Sequence, residues 1–310
     1  EVVMNQTAPD ITVVIPLFNG IDSVVRAVDS VLSQQYRACE IVIVDYGSTD
    51  GGPVRVEKER GQHIRIIRQM NRGLSNARNR GAKEAHSPFI AFLDVEDIWE
   101  PHYLNEIVKL IEYYPDAGSF ATGYQYITRS EEYRDPNICS STAAASTMML
   151  NNYFDVCAKG CSPFVVSSFC MRKELFEVLG GFDETQKFKE EAALFAWVAF
   201  KSSIAYSSSV LAFYSLDSNS RTQHEYIPDS ECRFSKRVHS WALNEVEDKN
   251  VRLSMIDFTT SHLYQLVSMN MRLGRFQAAS NILSDLRCKQ KLAKFLWWRL
   301  KCWLGKKQIL

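Results

Sequence analysis

Asp94, Glu96 and Asp97 place three carboxylates within four residues, directly after the unbroken apolar run at residues 89–93. A run that short and that apolar reads as a strand covered on both faces. Ligands of open α/β sheets bind just beyond the carboxyl ends of the strands, and acids crowded there repel one another unless a positive charge sits between them. A divalent cation with oxygen ligands suits such a cluster. The alternative is a solvated acidic turn, with Asp97 capping a helix that starts near Glu100. A second acidic pair, Glu190-Glu191, opens a helix that begins near Lys189. Acids in a first turn are favoured by the helix macrodipole whatever their role.

The elements that must position these acids follow from periodicity. Residues 11–15 read as a buried strand, which the turn formers Pro16-Leu17-Phe18-Asn19-Gly20 end. Val24, Val25, Val28, Val31 and Leu32 then repeat at helical spacing behind a cap at Asp22 or Ser23. A second strand at 41–44 ends in Asp45, and residues 46–53 form a loop of turn residues. A third strand spans 64–67, Gly73 leads into a helix at 74–85, and the fourth strand is the run at 89–93. Strands alternating with helices imply parallel βαβ units. Asn19, Asp45 and Asp94 then line one edge of one sheet.

The 310 residues suit one large domain, or one domain with a smaller appendage. Lys+Arg and Asp+Glu balance at 36 each, so net charge gives no support for a nucleic-acid partner. Eight cysteines occur without a C-x-x-C pair. Cys157 and Cys161 could share a helical face but lack partners at zinc-site spacing, so buried thiols of a reducing compartment are the expectation. No signal peptide and no apolar run of membrane-spanning length is read from the chain. Asn5-Gln6-Thr7 fits a glycosylation sequon.

Pro16-Leu17-Phe18-Asn19, Asp45-Tyr46-Gly47-Ser48-Thr49-Asp50, the stretch from Asn71 to Gly81 (NRGLSNARNRG) and Leu93-Asp94-Val95-Glu96-Asp97 occur in one order. Gly180-Gly181-Phe182-Asp183-Glu184, Glu190-Glu191 and Leu211-Ala212-Phe213-Tyr214 follow. Together these resemble the inverting glycosyltransferase family 2, over about residues 11–217. The resemblance implies the α/β GT-A fold, a Rossmann-like mixed sheet flanked by helices, with a helical C-terminal appendage. It implies a catalytic domain at 1–217, with a nucleotide-binding half at about 11–100 and an acceptor half at about 101–217, and a helical region at 218–310. It also implies a nucleotide-sugar donor, a UDP-sugar, held by Pro16, Phe18, Asn19, Asp45, Tyr46, Ser48, Arg78, Asp94 and Val95. Mn2+ or Mg2+ would bind through Asp94 and Glu96, and Glu191, paired with Glu190, would be the catalytic base. A poor diphosphate leaving group needs its developing charge met, and a sugar hydroxyl needs a carboxylate to take its proton.

Several positions depart from the family pattern. Tyr46 stands where a second Asp is usual, Glu96 replaces the last Asp of the D-x-D motif, and Glu191 replaces an Asp. Trp197 stands where Arg is frequent. Asp217 lies near where many members place a metal-binding His, and is either a replacement ligand or a loop acid. The departures keep open an alternative, a catalytically inactive relative that binds only a nucleotide or glycan.

Residues 141–147 are small and polar, consistent with a mobile acceptor-side loop, and residues 165–171 read as a strand entering the acceptor pocket. Residues 233–242, 253–273 and 276–286 read as amphipathic helices. From Leu286 onward there are eight Lys or Arg and no acid, interleaved with Trp297, Trp298, Trp303 and several Leu. A basic, Trp-rich amphipathic segment reads as a membrane-surface element; the alternative is a terminal helix packed on the domain. The sequence expectation is thus a cytoplasmic enzyme, peripheral on the inner face of a membrane. It would pass a sugar to a glycan or lipid-linked acceptor in surface polysaccharide synthesis.

Overall fold

The structure, a computed structural model, describes residues 9–128, 130, 132–138, 147–216 and 226–307, with side chains as far as residue 304. The sequon at Asn5, the candidate ligand Asp217, the proposed boundary at 217–218 and nearly all of the 141–147 loop lie outside the described residues.

The N-terminal part runs β1 (Ile11–Leu17), α1 (Val24–Leu32), β2 (Glu40–Asp45), α2 (Gly52–Arg60), β3 (Arg65–Arg68), α3 (Leu74–Glu84) and β4 (Phe89–Phe92). It continues through β5 (Ile98–Trp99), α4 (Tyr103–Tyr113), β6 (Ser119–Ile127), β7 (Tyr133–Arg134), β8 (Thr147–Met149), α5 (Tyr153–Lys159), β9 (Phe169–Arg172), α6 (Lys173–Leu179), α7 (Glu190–Lys201) and β10 (Ile204–Ser215). Among the described residues, the helices α8 (Arg233–Asn244), α9 (Lys249–Arg272), α10 (Phe276–Leu283), α11 (Leu286–Gln290) and α12 (Leu292–Lys307) follow.

The strands form one mixed sheet in the order β3-β2-β1-β4-β9-β6-β10-β5, with β7 added beside β6 and β8 beside β10. β1, β2, β3 and β4 pair in parallel, β9 inserts antiparallel between β4 and β6, and β10 runs parallel to β6. The carboxyl ends of β1, β2, β4, β6 and β10 therefore share one edge, where strand-end ligands bind.

All seven residues of β1 are buried, because helices cover both faces of the sheet. One layer holds α1 and α4 against Ile11, Val13 and Ile15. The other holds α5, α6 and α7 against Val14, Ile90 and Phe92, and the apolar faces of α8, α9 and α10 join that same core. α3 lies in this second layer and packs close to β1: a Cβ added to Gly81 would collide with Val14 Cγ1. Gly81 is one turn beyond Arg78, so its missing side chain lets that arginine approach the sheet edge.

Two expectations need correction. Asp97 does not cap a helix. It is fully buried, accepts from Ser167 Oγ (2.6 Å) and from the Ser215 backbone N–H (2.9 Å), and is followed by β5, with α4 starting only at Tyr103. A buried carboxylate with two donors is a tie between chain segments that are distant in sequence, which spacing alone does not show. The 165–171 stretch divides into a single 3-10 turn at Val166–Ser168 and the strand β9.

Candidate functional site

β1 ends at Leu17, and Asn19 follows in the left-handed region at φ 50°. Asparagine tolerates that conformation better than most residues. Its amide oxygen accepts from the Thr49 N–H (2.8 Å), and its own N–H donates to Ser48 Oγ (3.1 Å). Asp45, at the end of β2, accepts from the Ser48 N–H (2.9 Å). Asp50 accepts from the N–H groups of Ile21 (2.7 Å) and Gly52 (2.8 Å). The loops after β1 and β2 are thus bound to each other by short polar side chains.

Phe18 and Tyr46 stack above this turn, with ring centroids 5.2 Å apart and planes inclined by 22°. Burial pushes the Tyr46 phenol up to about 12, reinforced by Asp94 and Glu190 and opposed by Arg78. Tyr46 is therefore neutral over the physiological range and can donate a hydrogen bond.

Arg78 is the centre of the arrangement. It is only 3% exposed and donates from Nη2 to Asp94 Oδ1 at 2.7 Å. Its guanidinium lies 5.1 Å from the centroid of the Phe182 ring. Burial works against its charge, but Asp94, Glu191 and Glu190 together hold its pKa above the ordinary arginine value. Its buried Nε has no acceptor among the described residues. Asp94 is further fixed by Ser167, whose Oγ accepts from the Asp94 N–H (3.0 Å) and donates to Asp97. Val95 is buried against Gly20, where a Cβ would stand 3.0 Å from Val95 Cγ2. Glu96 accepts from Ser23 Oγ (3.1 Å) at the start of α1, and its carbonyl accepts from Arg26 (3.1 Å).

The Glu190-Glu191 pair forms the first turn of α7. Burial raises the pKa of Glu190, as do the charges of Glu191 and Asp94, with Arg78 opposing. The preceding residue, Lys189, is left-handed at φ 54°, and its Nζ donates to Gln265 Oε1 (2.5 Å) on α9. Gln186 Nε2 donates to the carbonyls of Phe188 (2.9 Å) and Lys189 (2.7 Å). The acidic turn is therefore held both by its own loop and by the C-terminal helices.

The fold thus brings Asp94, Arg78, Tyr46, Glu190 and Glu191 into mutual electrostatic range at one sheet edge. Asn19, Ser48, Phe18 and Asp45 stand on the adjoining turns, and Pro16 lies within β1 itself. Spacing did not single out Ser167, which orients Asp94 from 73 residues away, or Gln265. The stretch from Gly180 to Glu184 is tied to α3 through Asn79, which accepts from the Phe182 N–H and donates to Glu184 (2.9 Å each). Trp197 sits on the far part of α7, with the Arg237 guanidinium 5.0 Å from its ring centroid.

A family model described as Glycosyl transferase family 2 matches residues 12–180. The chain is similar to glycosyltransferase GlyG of Streptococcus pneumoniae, with 25% identity across 80% of this chain and 85% of that one. It also resembles an uncharacterised glycosyltransferase of Nostoc, 38% identical over 105 residues, a match that spans 33% of each chain. Among solved structures, S. aureus TarS 1–349 in complex with UDP-GlcNAc superimposes with a TM-score of 0.65 and 16% identity, covering 96% of this chain and 89% of that one. The matched segment carries β1 to β9 with the Asp94–Arg78 pair, and the chain belongs to glycosyl transferase family 2, with the GT-A fold.

Proposed function

We propose that this chain is an inverting glycosyltransferase that moves a sugar from a nucleotide-diphosphate donor, a UDP-sugar, to a hydroxyl of a glycan or lipid-linked acceptor. The observation that carries this reading is the convergence of the buried Arg78–Asp94 pair with the acidic turn Glu190-Glu191 at one sheet edge. A buried guanidinium N–H without an acceptor is costly, and an oxygen of the nucleotide would satisfy the Nε of Arg78. The stacked Phe18–Tyr46 pair offers a flat apolar surface and a neutral phenol to a base. The family relationship supports the donor class, as does the binding of UDP-GlcNAc by TarS, which shares this fold.

Glu191 is the residue proposed to accept the proton of the acceptor hydroxyl, with Glu190 beside it. Loss of that proton makes the oxygen a nucleophile, and a single displacement at the anomeric carbon inverts it.

Among the described residues no three His, Cys, Asp or Glu gather into one metal-holding group. Asp94 and Glu96 offer hard oxygen donors, and Mg2+ is commonly held by one or two carboxylates together with substrate phosphates. The donor set therefore fits Mn2+ or Mg2+, which, when bound, would neutralise charge developing on the leaving diphosphate. Calorimetric titration of UDP and UDP-GlcNAc is the test. Binding is expected with Mn2+ and is expected to weaken at least tenfold in EDTA. Equal affinity in both would remove the metal from the proposal, and no binding under either condition would favour the alternative of an inactive relative, in the form that binds only a glycan.

The proposal extends to the membrane surface. No helix of the described residues is long and apolar enough to cross a membrane. α12 docks through Phe295 and Cys302, which are buried, and Trp298, which is partly so. Leu292, Leu296, Leu300, Trp303 and Leu304 remain exposed at helical spacing, with Trp297 beside them. Lys294, Arg299 and Lys301 flank that stripe. Near an anionic leaflet each basic residue contributes about 1 kcal/mol, and the apolar stripe adds burial among headgroups. The proposed location is therefore the cytoplasmic, inner face of a membrane, where surface polysaccharide acceptors are built. The full chain is expected to sediment with phosphatidylglycerol vesicles at low salt, and Leu300→Glu/Trp303→Glu to stay in solution. Sedimentation of both proteins alike would show that this stripe does not contact lipid.

A further inference from the structure

The carboxyl ends of β6 and β10 share an edge with Asp94 but carry none of the residues assigned to the donor. Register places Phe213 of β10 beside Gln125 of β6 on one side and beside Ile98 of β5 on the other. Ile98 follows Glu96 by two residues, so Phe213 borders the acidic loop. The flanking residues Ala212, Trp99 and Tyr124 point into the α1–α4 core. Side chains alternate along a strand, so Phe213, Ile98 and Gln125 point to the opposite face, the one on which α7 packs.

Tyr133 of β7 pairs with Ile127 and extends its ring to Phe213, with centroids 5.2 Å apart at 64°. Gln125 Nε2 donates to Asp135 Oδ1 at 2.7 Å on the same strand pair. Ile98, Gln125, Tyr133 and Phe213 join neither apolar core, and Tyr133 is 54% exposed. Among the described residues, packing in the apolar cores does not account for this exposed ring, which a second ring backs beside an amide and a carboxylate.

We propose that Tyr133 and Phe213, with the Gln125–Asp135 pair, form the subsite that receives a pyranose ring of the acceptor glycan. The proposal rests on the reading of this chain as a glycosyltransferase. Ligand sites combine apolar and aromatic walls with a few placed polar groups. A pyranose presents a face of C–H groups to an aromatic ring and hydroxyls around its rim to a carboxylate and an amide. The exposed Asp135 disfavours an anionic lipid at the same place, and the neighbouring Asp94–Glu96 loop places a sugar here beside the donor edge.

Saturation-transfer NMR on the full chain with UDP and diamagnetic Mg2+, using a set of methyl pyranosides and short oligosaccharides, tests it. At least one of these sugars is expected to bind. Tyr133→Ala should weaken that binding by about fivefold, the order of one aromatic contact, and Asp135→Asn should weaken it too. Tyr133→Phe, which keeps the ring, should retain it, and UDP affinity should be unchanged in all three. No sugar binding by a wild-type protein that binds UDP, or equal sugar affinity in wild type and Tyr133→Ala, would overturn the proposal. Sugar binding that responds to these variants without any UDP binding would support the subsite and count against the donor reading alone.

Discussion

Glu191→Gln is expected to lower the transfer rate by about 10²- to 10⁴-fold, the usual contribution of a positioned proton acceptor. Glutamine keeps the length and shape of the side chain but cannot accept a proton. Because the residue would act on the acceptor oxygen, donor affinity should change by no more than a few-fold. Transfer assays with UDP-sugars and calorimetry of UDP separate the two effects. Glu190 supplies an internal comparison. Burial and the charges of Glu191 and Asp94 raise its pKa above the ordinary carboxylate value. A base works only when ionised, so if Glu190 takes the proton, the rate climbs with pH through that raised pKa and levels off above it. Glu190→Gln would then abolish this limb, and wild-type rates in Glu191→Gln would move the role to Glu190.

Asp94→Ala is expected to destabilise the protein by about 3 kcal/mol, because it leaves the buried Arg78 without its closest counter-charge. For a chain of this size that is a fall of roughly 5–10 °C in the unfolding midpoint. Donor binding should be lost in the same variant. The double variant Asp94→Ala/Arg78→Met should recover much of the stability, since an apolar side chain replaces an unpaired charge. It should not recover donor binding. A double variant as unstable as the single one would show that the loss does not come from the unpaired Arg78 charge, because the Asp94 N–H that donates to Ser167 remains in both variants. Scanning calorimetry of the three proteins decides this.

The arrangement explains why the pair tolerates burial. Arg78 faces Asp94 at 2.7 Å and also feels Glu190 and Glu191, so three carboxylates offset one desolvated cation. A ligand that brings negative charge must compete for the same guanidinium. A divalent cation beside Asp94 would relieve that competition, which is a physical reason to expect the two to bind together.

Much of this was determined by the sequence itself. The alternation of short apolar runs with helical periodicity specified β1, β2, β3 and β4 with α1 and α3, within a residue or two. It therefore placed Asn19, Asp45 and Asp94 at a common edge, because parallel strands with right-handed crossovers leave their carboxyl ends on one side. The first turn of α7 was legible from Glu190-Glu191, and the helices α8 to α10 from their apolar spacing with the break at Gly274. These are local properties: a few consecutive residues carry the whole signal.

Only the tertiary structure decided the remainder, because it depends on pairings distant along the chain. β9 enters the sheet antiparallel between β4 and β6, and nothing in its own composition specifies direction or neighbour. Asp97 carried the same acidic signal as Asp94, yet Ser167 and Ser215 draw it inward as a structural tie. The helix α12 packs one narrow face on the core through Phe295 and Cys302, while the apolar stripe through Leu296, Leu300 and Trp303 stays exposed. A sequence shows that a helix is apolar on more than one side, but which side meets the protein is fixed by the shape of the surface that α9 and α10 present to it.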